Sequence, residues 1–248
     1  MGVPTLGCTC RVCTSTDPRD RRTRPSIAIE WQDRGRERRV IIDTGPDFRE
    51  QALRFGIRSI DAVFYTHPHA DHILGLDDLR PLSFAHRDRG MPLYADDSTA
   101  QVLERVFAYT LSAEATYPTR ARVQLQRLNG PVRVAGITFT PVPLLHGGLE
   151  VTGYRVGNAA YLTDMNEIPE SSMPLLIGVE VVVLDALRPQ PHPSHATISE
   201  AIRWAQSIGA RETWFTHMSH EVMHAEMDPQ LPPSIRLAYD GLRVPIKL

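Results

Sequence analysis

A dense group of metal-ligand side chains follows the apolar segment 62–65. The order Thr66-His67-Pro68-His69-Ala70-Asp71-His72 places three imidazoles and one carboxylate within six residues. Imidazole nitrogens and carboxylate oxygens are ligands that suit zinc, manganese or iron. In an extended segment His67 and His69 point to the same side, because side chains alternate with a period of two. Asp71 and His72 follow at the start of a predicted helix, where they can face a second, adjacent ion.

Three further ligand candidates each follow a strand-like segment elsewhere in the chain. His146 follows Leu145, Asp164 follows Thr163, and His217 follows Thr216. A single histidine after a strand is more often structural, so each of these residues alone is a weak signal. Together with the motif they give five histidines and two aspartates, which are His67, His69, Asp71, His72, His146, Asp164 and His217. This set predicts a binuclear metal site.

The order of these ligands, with Ile42-Asp43-Thr44-Gly45 before them, resembles the metallo-β-lactamase superfamily over almost the whole chain. The resemblance implies an α/β fold, the αβ/βα sandwich, with two sheets covered by helices and both metals at one sheet edge. It also implies the ligand assignment. The first ion would be held by His67, His69 and His146, and the second by Asp71, His72 and His217. Asp164 would bridge the two ions, and Asp43 would orient residues near the site without being a ligand.

A second cluster, Cys8-x-Cys10-x-x-Cys13, brings three thiols together near the start of the chain. A closed zinc site usually has four ligands in a tetrahedron, and His220 is the candidate for the fourth. A Cys3His zinc site would tie the cysteine-rich segment 1–25 to the loop after His217. The alternatives are a redox pair or free buried thiols.

The cysteine cluster and its flanking residues narrow the resemblance to one group within the superfamily. Gly2-Val3-Pro4 before it, and Arg22-x-Arg24-x-Ser26 after it, resemble the phosphoribosyl 1,2-cyclic phosphate phosphodiesterases of the carbon–phosphorus lyase pathway. In that group three cysteines and a histidine bind structural zinc, and His217-Met218-Ser219-His220 fits that pattern. Members normally carry a further strand before Gly-Val-Pro, and we expect the single domain of residues 1–248 to lack it.

The reaction implied by this resemblance is hydrolysis of a small cyclic phosphodiester of the phosphoribosyl 1,2-cyclic phosphate type. Hydroxide bridging two divalent ions, zinc or manganese, would attack phosphorus, and a third, structural ion would be zinc. The leaving alkoxide also needs a proton. His195 matches the acid of phosphodiester-cleaving members and lies outside the ligand set, while His192 is its competitor. We therefore expect His195 and Asp71 to be the catalytic residues.

Other functions remain open at this level. The same resemblance allows three other functions. They are a tRNA 3′-processing nuclease, a thioester or lactam hydrolase, and a metal-binding accessory protein of the pyrroloquinoline quinone pathway. The intact ligand set favours an enzyme over the accessory protein. A di-iron redox protein is disfavoured, since those relatives usually have glutamate at the position of His69.

The composition limits the class of protein and the partners that it can bind. The 248 residues are 42% hydrophobic and 23% charged, a globular balance. The 27 basic and 29 acidic residues give a net charge of −2, so no basic surface for nucleic acid is indicated. The longest apolar stretch, Met173–Leu187, is too short and too charged to span a bilayer. We expect a cytoplasmic protein that binds a small anionic phosphodiester and has no membrane partner. Nucleic acid is a disfavoured partner, and a homodimer is the commonest state if the protein forms an oligomer.

Short β-branched runs interleaved with helical periodicity must position these side chains. Helices are predicted over Asp47–Phe55, Ser98–Tyr109 and Ile198–Ile208, with Ser199 or Thr197 capping the last of them and Gly209 ending it. Strands are predicted in 26–29, 39–42, 61–65, 137–142, 151–156, 180–184, 213–216 and 235–238. Two arginine-rich runs, 19–24 and 34–39, are interpreted as solvated faces, with steering of an anionic substrate as the alternative.

Overall fold

The computed structural model describes residues 2–86, 89–112 and 118–248, which form two compact units. The first unit is Arg24–Gly136, and the second combines the residues up to Thr23 with Ile137–Leu248. Each unit has its own hydrophobic core. The single domain predicted over 1–248 stays a prediction.

A five-stranded sheet forms the centre of the first unit, in the order β1-β2-β3-β4-β5. Its strands are β1 (Ile27–Asp33), β2 (Arg36–Ile42), β3 (Ala62–Phe64), β4 (Met91–Ala95) and β5 (Val123–Arg127). β1 and β2 are antiparallel, and the remaining pairs are parallel. The helices are α1 (Phe48–Arg54), α2 (Ala70–Ile73), α3 (Arg80–Ser83), α4 (Asp97–Val106) and α5 (Ala108–Leu111). Every residue of β3 is buried, which explains its uniformly apolar sequence.

The arginine-rich hairpin of β1 and β2 is held by ion pairs. Arg38 contacts Asp33 at 3.2 Å and Asp61 at 2.9 Å. Arg39 pairs with Glu30 at 2.7 Å and also with Glu37. These contacts engage both guanidinium groups in structural pairing within the sheet. The interpretation of the two arginine-rich runs as solvated faces is wrong for Arg39 and for Arg22, because both side chains are buried against ion-pair partners.

A seven-stranded sheet, whose strands from β7 onward lie in the second unit, has the order β12-β11-β10-β9-β8-β7-β6. Its strands are β6 (Val132–Val134), β7 (Ile137–His146), β8 (Leu149–Val156), β9 (Ala159–Leu162), β10 (Val181–Asp185), β11 (Glu212–Thr216) and β12 (Ile235–Leu237). β9 to β12 are parallel neighbours, while β7, β8 and β9 pair antiparallel. The helices are α6 (Ile198–Ile208) and α7 (His224–Met227).

Helix α6 shows how local sequence fixes the loop before it. The Thr197 side chain accepts from the Glu200 backbone, and the Glu200 carboxylate accepts from the Thr197 N–H, a capping box. Thr197 is therefore the cap, and not Ser199. Gly209 ends the helix with a φ of 71°, a left-handed conformation that glycine adopts at low cost. His195 is thereby held two residues before a well-defined helix start.

The structure departs from the sequence predictions at several places. Strands β4, β5 and β6 were not predicted. β4 (Met91–Ala95) contains a proline and lacks β-branched residues, which hides its strand character. The helix predicted over Ser98–Tyr109 is interrupted at Phe107, whose backbone is not helical. The apolar stretch 173–187 contains part of a 3-10 helix, Glu170–Leu176, and strand β10. Within the described parts of the chain, no helix has the length and apolar character needed to cross a membrane.

Candidate metal centres and catalytic site

Three histidines of the first unit lie close together between the end of β3 and helix α2. The His67 ring centroid lies 4.5 Å from that of His69 and 4.1 Å from that of His72. His67 and His72 are buried, whereas His69 is exposed, and Asp71 is half-buried in the first turn of α2. This end of β3 thus presents a compact imidazole cluster.

Asp43 and Thr66 fix the orientation of two of these rings. Asp43 Oδ2 lies 2.8 Å from His72 Nδ1 and accepts from the Thr66 hydroxyl at 2.7 Å. Because that hydroxyl donates to Asp43, its oxygen can accept from His67 Nδ1 at 3.0 Å. Both rings then carry a proton on Nδ1 and present the Nε2 lone pair, the tautomer that metal ligation requires. Burial raises the pKa of Asp43, and the facing His72 ring opposes this.

The loop that carries Asp43 is in backbone contact with α2. Thr44 N–H donates to His72 O at 2.8 Å, and Gly75 N–H donates to Thr44 O at 2.8 Å. A Cβ at Gly45 would lie 2.1 Å from the carbonyl oxygen of Asp71, so only glycine fits there. The Asp43-Thr44-Gly45 motif therefore positions Asp71 and His72 through the main chain.

A second donor set lies at the carboxyl ends of the parallel strands of the second unit. Asp164 follows β9, Asp185 ends β10, and His217 follows β11. His217 Nε2 lies 3.3 Å from Asp164 Oδ1. Two ligands about 2.1 Å from one ion at a tetrahedral angle are separated by about 3.4 Å. His217 and Asp164 are therefore spaced to bind the same ion.

Left-handed backbone recurs at these strand ends. Asp43, Asp164 and His217 have φ values of 64°, 51° and 60°. Non-glycine residues rarely adopt this conformation, and it clusters at functional sites where surrounding structure enforces it. Asp164 and His217 belong to the predicted ligand set, and Asp43 is the residue expected to orient it.

His146, at the end of β7, is also oriented by a second group. Its Nδ1 lies 2.7 Å from the carbonyl oxygen of Ser194. A carbonyl can only accept, so Nδ1 carries the proton and Nε2 presents the lone pair. Its ring centroid lies 4.4 Å from that of His195.

Sequence reasoning missed Asp185, the buried carboxylate that contacts His195. Its Oδ2 lies 2.7 Å from His195 Nδ1 and accepts from the Met165 N–H at 3.0 Å, while its Oδ1 lies 3.8 Å from His217 Nδ1. Burial raises the pKa of Asp185 well above its usual range. The facing His217 ring and the Met165 N–H oppose this shift. The sequence did carry a signal for Asp185, because this aspartate ends an apolar strand in the same way as the predicted ligands follow theirs.

His195 lies beside the second donor set. Its ring stacks on that of His217 with a centroid separation of 4.7 Å and an interplanar angle of 16°. Ligand atoms of Asp164, His195 and His217 lie within 4.8 Å of one another. With Nδ1 engaged by Asp185, Nε2 is the nitrogen that His195 can offer to a substrate.

The three cysteines and His220 converge in the second unit. The Sγ atoms of Cys8, Cys10 and Cys13 lie 3.2, 3.6 and 3.5 Å from His220 Nδ1. In tetrahedral zinc coordination, sulfur and nitrogen ligands are separated by about 3.6 Å. The Cys13 N–H lowers the pKa of Cys10 to about 6, which favours the thiolate that zinc binds. The donor set and its spacing fit a zinc ion.

A buried network connects the cysteine-rich segment 1–25 to the loop after β11. Arg22 donates to Ser219 O at 3.0 Å, to Val222 O at 2.6 Å and to Asp20 at 2.9 Å. Asp20 also accepts from the backbone N–H of His224 at 2.8 Å. Arg22 and Asp20 thus hold the segment that contains both His217 and His220.

Two further histidines, His86 and His224, lie outside the predicted ligand set. His86 Nε2 lies 2.7 Å from the carbonyl oxygen of Ile60, a structural hydrogen bond. His224 is buried, and burial lowers its pKa. His224 begins α7, and its backbone N–H contacts the Asp20 and Arg22 network.

Comparisons with known proteins agree with this geometry. Residues 38–218 match the family model described as the beta-lactamase superfamily domain. A crystal structure described as a new diphosphatase from the PhnP family is 50% identical, with a TM-score of 0.90, and covers 100% of this chain and 94% of that one. An octanoyltransferase of Porphyromonas gingivalis is 40% identical over 245 residues, 97% of this chain. This chain spans 48% of that relative's length, about half.

A zinc-bound PqqB structure from Methylobacterium extorquens has a TM-score of 0.75 at 20% identity, covers 99% of this chain and 96% of that one, and shows the shared fold. The chain belongs to the beta-lactamase superfamily and has the metallo-β-lactamase fold. The predicted family and the predicted α/β fold class, the αβ/βα sandwich, are confirmed. The family and the His/Asp clusters of the described residues support divalent metal binding.

Proposed function

We propose that this protein is a binuclear metal-dependent phosphodiesterase that hydrolyses a small cyclic phosphodiester. The seven ligands selected from the sequence would hold two divalent ions, and Cys8, Cys10, Cys13 and His220 would hold a structural zinc. When bound, divalent ions lower the pKa of coordinated water toward about 7 and neutralise phosphoryl charge. The rest of the reaction depends on side chains of the chain itself.

The observation that carries the proposal is the contact of 2.7 Å between His195 Nδ1 and the buried Asp185 carboxylate. A carboxylate at Nδ1 stabilises the imidazolium and leaves the Nε2 proton for donation, and proton transfer of this kind contributes roughly 10²–10⁴ in rate. The alkoxide released from an alkyl phosphodiester is a strong base, so it needs such a donor. Hydrolysis of a cyclic diester would open the ring, so the phosphate monoester and the released hydroxyl group would stay on the same molecule.

His195 would protonate the leaving oxygen, and Asp185 would hold the ring and compensate its charge. His146 and His217 flank the His195 ring at 4.4 and 4.7 Å between centroids, which restricts its rotation. The Ser194 carbonyl orients His146 from the same loop at 2.7 Å. The acid and two ligand histidines are therefore tied to one short segment before α6.

A second candidate is hydrolysis of a diphosphate, because the 50% identical neighbour is described as a diphosphatase. A phosphate leaving group is a much weaker base than an alkoxide, so it depends less on an acid. The two reactions can therefore be separated by their dependence on His195.

The test compares the protein loaded with manganese or zinc on four substrates: ribose 1,2-cyclic phosphate, a nucleoside 2′,3′-cyclic phosphate, a diphosphate ester and an octanoyl thioester. Each substrate is assayed with the unaltered protein and with His195→Ala, and metal content is measured for both. His86→Ala, which removes a histidine of the first unit with a structural hydrogen bond, is the matched control.

We expect a cyclic diester to be the best substrate and His195→Ala to lower its turnover about 100-fold or more with metals retained. Preferred cleavage of the diphosphate ester, with little loss in His195→Ala, would select the second candidate. Turnover of the thioester alone would overturn the phosphodiesterase proposal. No turnover of any substrate by metal-loaded protein would favour the accessory-protein hypothesis.

A further inference from the structure

His192 lies on the same loop as His195, between β10 and α6. The two ring centroids are 4.9 Å apart, with an interplanar angle of 52°. The His192 side chain is half-buried. The sequence offers it only as a competitor of His195 for the acid role, and no carboxylate of the described residues contacts it as Asp185 contacts His195. Its position beside the acid calls for another role.

The hydrogen bonds of His192 fix its tautomer. Its Nδ1 lies 3.3 Å from the backbone nitrogen of Ser194 and 3.4 Å from the Ser194 hydroxyl. A backbone N–H can only donate, so Nδ1 of His192 must be the acceptor. The proton of the neutral ring is then on Nε2, which has no hydrogen-bond partner among residues 2–86, 89–112 and 118–248.

The surroundings favour the neutral ring. Burial lowers the pKa of His192, and His195 and Arg188 act in the same direction. Arg188 is fixed nearby, because its guanidinium donates to the Pro191 carbonyl at 2.9 Å and pairs with Glu221 at 3.1 Å. Protonation of His192 would also put a second proton on Nδ1, where it would face the Ser194 N–H and remove that hydrogen bond. The loop therefore presents a neutral N–H donor beside the candidate acid.

We propose that His192 is a substrate-binding residue whose Nε2–H donates to a non-bridging phosphoryl oxygen while His195 protonates the leaving oxygen. This inference rests on the proposed action on phosphate esters. The chemical class it selects is a compact phosphoryl group, whose oxygens all accept hydrogen bonds. Because a non-bridging oxygen carries charge before and during reaction, the contact acts in the ground state and in the transition state alike.

The test compares His192→Phe, which keeps a planar ring without nitrogen, with His192→Gln, which retains an N–H donor at similar reach. A hydrogen bond to a charged group contributes enough that His192→Phe should raise KM for the cyclic diester about tenfold. Its kcat should change less than about threefold, because uniform binding affects KM alone. His192→Gln should recover most of the loss. Metal content and thermal unfolding of both variants serve as controls.

Direct titration of the metal-loaded proteins with inorganic phosphate makes the result independent of turnover. We expect affinity to fall with Phe and to be retained with Gln, even if no cyclic diester is hydrolysed. Unchanged KM and phosphate affinity in His192→Phe would overturn the proposal. Equal losses in Phe and Gln would also overturn it, since the ring and not the donor would then matter.

Discussion

The guanidinium of Arg22 donates to the main-chain carbonyl of Ser219 at 3.0 Å, across 197 positions of sequence. Both groups are buried, and Arg22 also donates to Val222 O and to the Asp20 carboxylate. Ser219 lies between His217, of the catalytic set, and His220, of the cysteine cluster. One arginine therefore holds the backbone from which two candidate metal sites draw a ligand.

Replacing Arg22 should disturb both candidate metal sites together. Arg22→Met keeps most of the side-chain volume but leaves two carbonyls and a buried carboxylate without their donor. Breaking a buried pair in this way costs about 3–5 kcal/mol, so unfolding by urea should occur at a clearly lower concentration. Metal analysis after dialysis should show loss from both sites. Arg38→Met, which breaks ion pairs on the β1–β2 hairpin, is the control and should retain its metals. Full metal content in Arg22→Met would contradict this positioning role.

The Asp185 carboxylate should control turnover through His195. In Asp185→Asn the amide can donate toward Nδ1, which favours the wrong tautomer and no longer compensates the imidazolium. We expect alkyl diester hydrolysis to fall about 100-fold or more. An activated aryl diester should lose much less, because its leaving group hardly needs a proton. Equal losses on both substrates would argue that Asp185 acts through His217 and the metals instead, which metal analysis of the variant would check.

The candidate site shows what a sequence can and cannot predict here. His67 and Asp164 were recognisable because buried parallel strands are apolar and a polar side chain at their ends stands out. Asp185 ends β10 in the same way, but a single aspartate after an apolar run carries no ligand spacing. The strand β4 alternates buried and half-buried residues, yet its proline and methionine hide the pattern. The role of Arg22 depends on partners about 200 positions away, which no local pattern encodes.

The cysteine cluster should hold one zinc ion that is separate from the catalytic metals. Unaltered protein should contain about three metal ions per chain, and Cys10→Ser should contain about two, because serine oxygen is a poor replacement for a zinc-bound thiolate. Thermal unfolding of Cys10→Ser should occur at a lower temperature, since the ion links the N-terminal segment to the His217–His220 loop. Thr14→Ser, next to the cluster, should retain all three ions. A Cys10→Ser protein that still holds three ions would refute this assignment.

His224 should make stability fall as the solution is acidified. Its pKa is lowered in the folded state, by burial first and then by Arg19, while an unfolded chain has an ordinary value of about 6.5. The unfolded state therefore binds more protons below about pH 6.5, and the free energy of unfolding decreases as pH falls through that range. We expect His224→Phe to flatten this dependence between about pH 7 and 5 when urea unfolding is measured at several pH values. Tyr239→Phe, which keeps the ring that faces His224, should preserve the slope of the unaltered protein. Identical slopes in the His224→Phe and Tyr239→Phe proteins would show that the acid sensitivity arises from other groups.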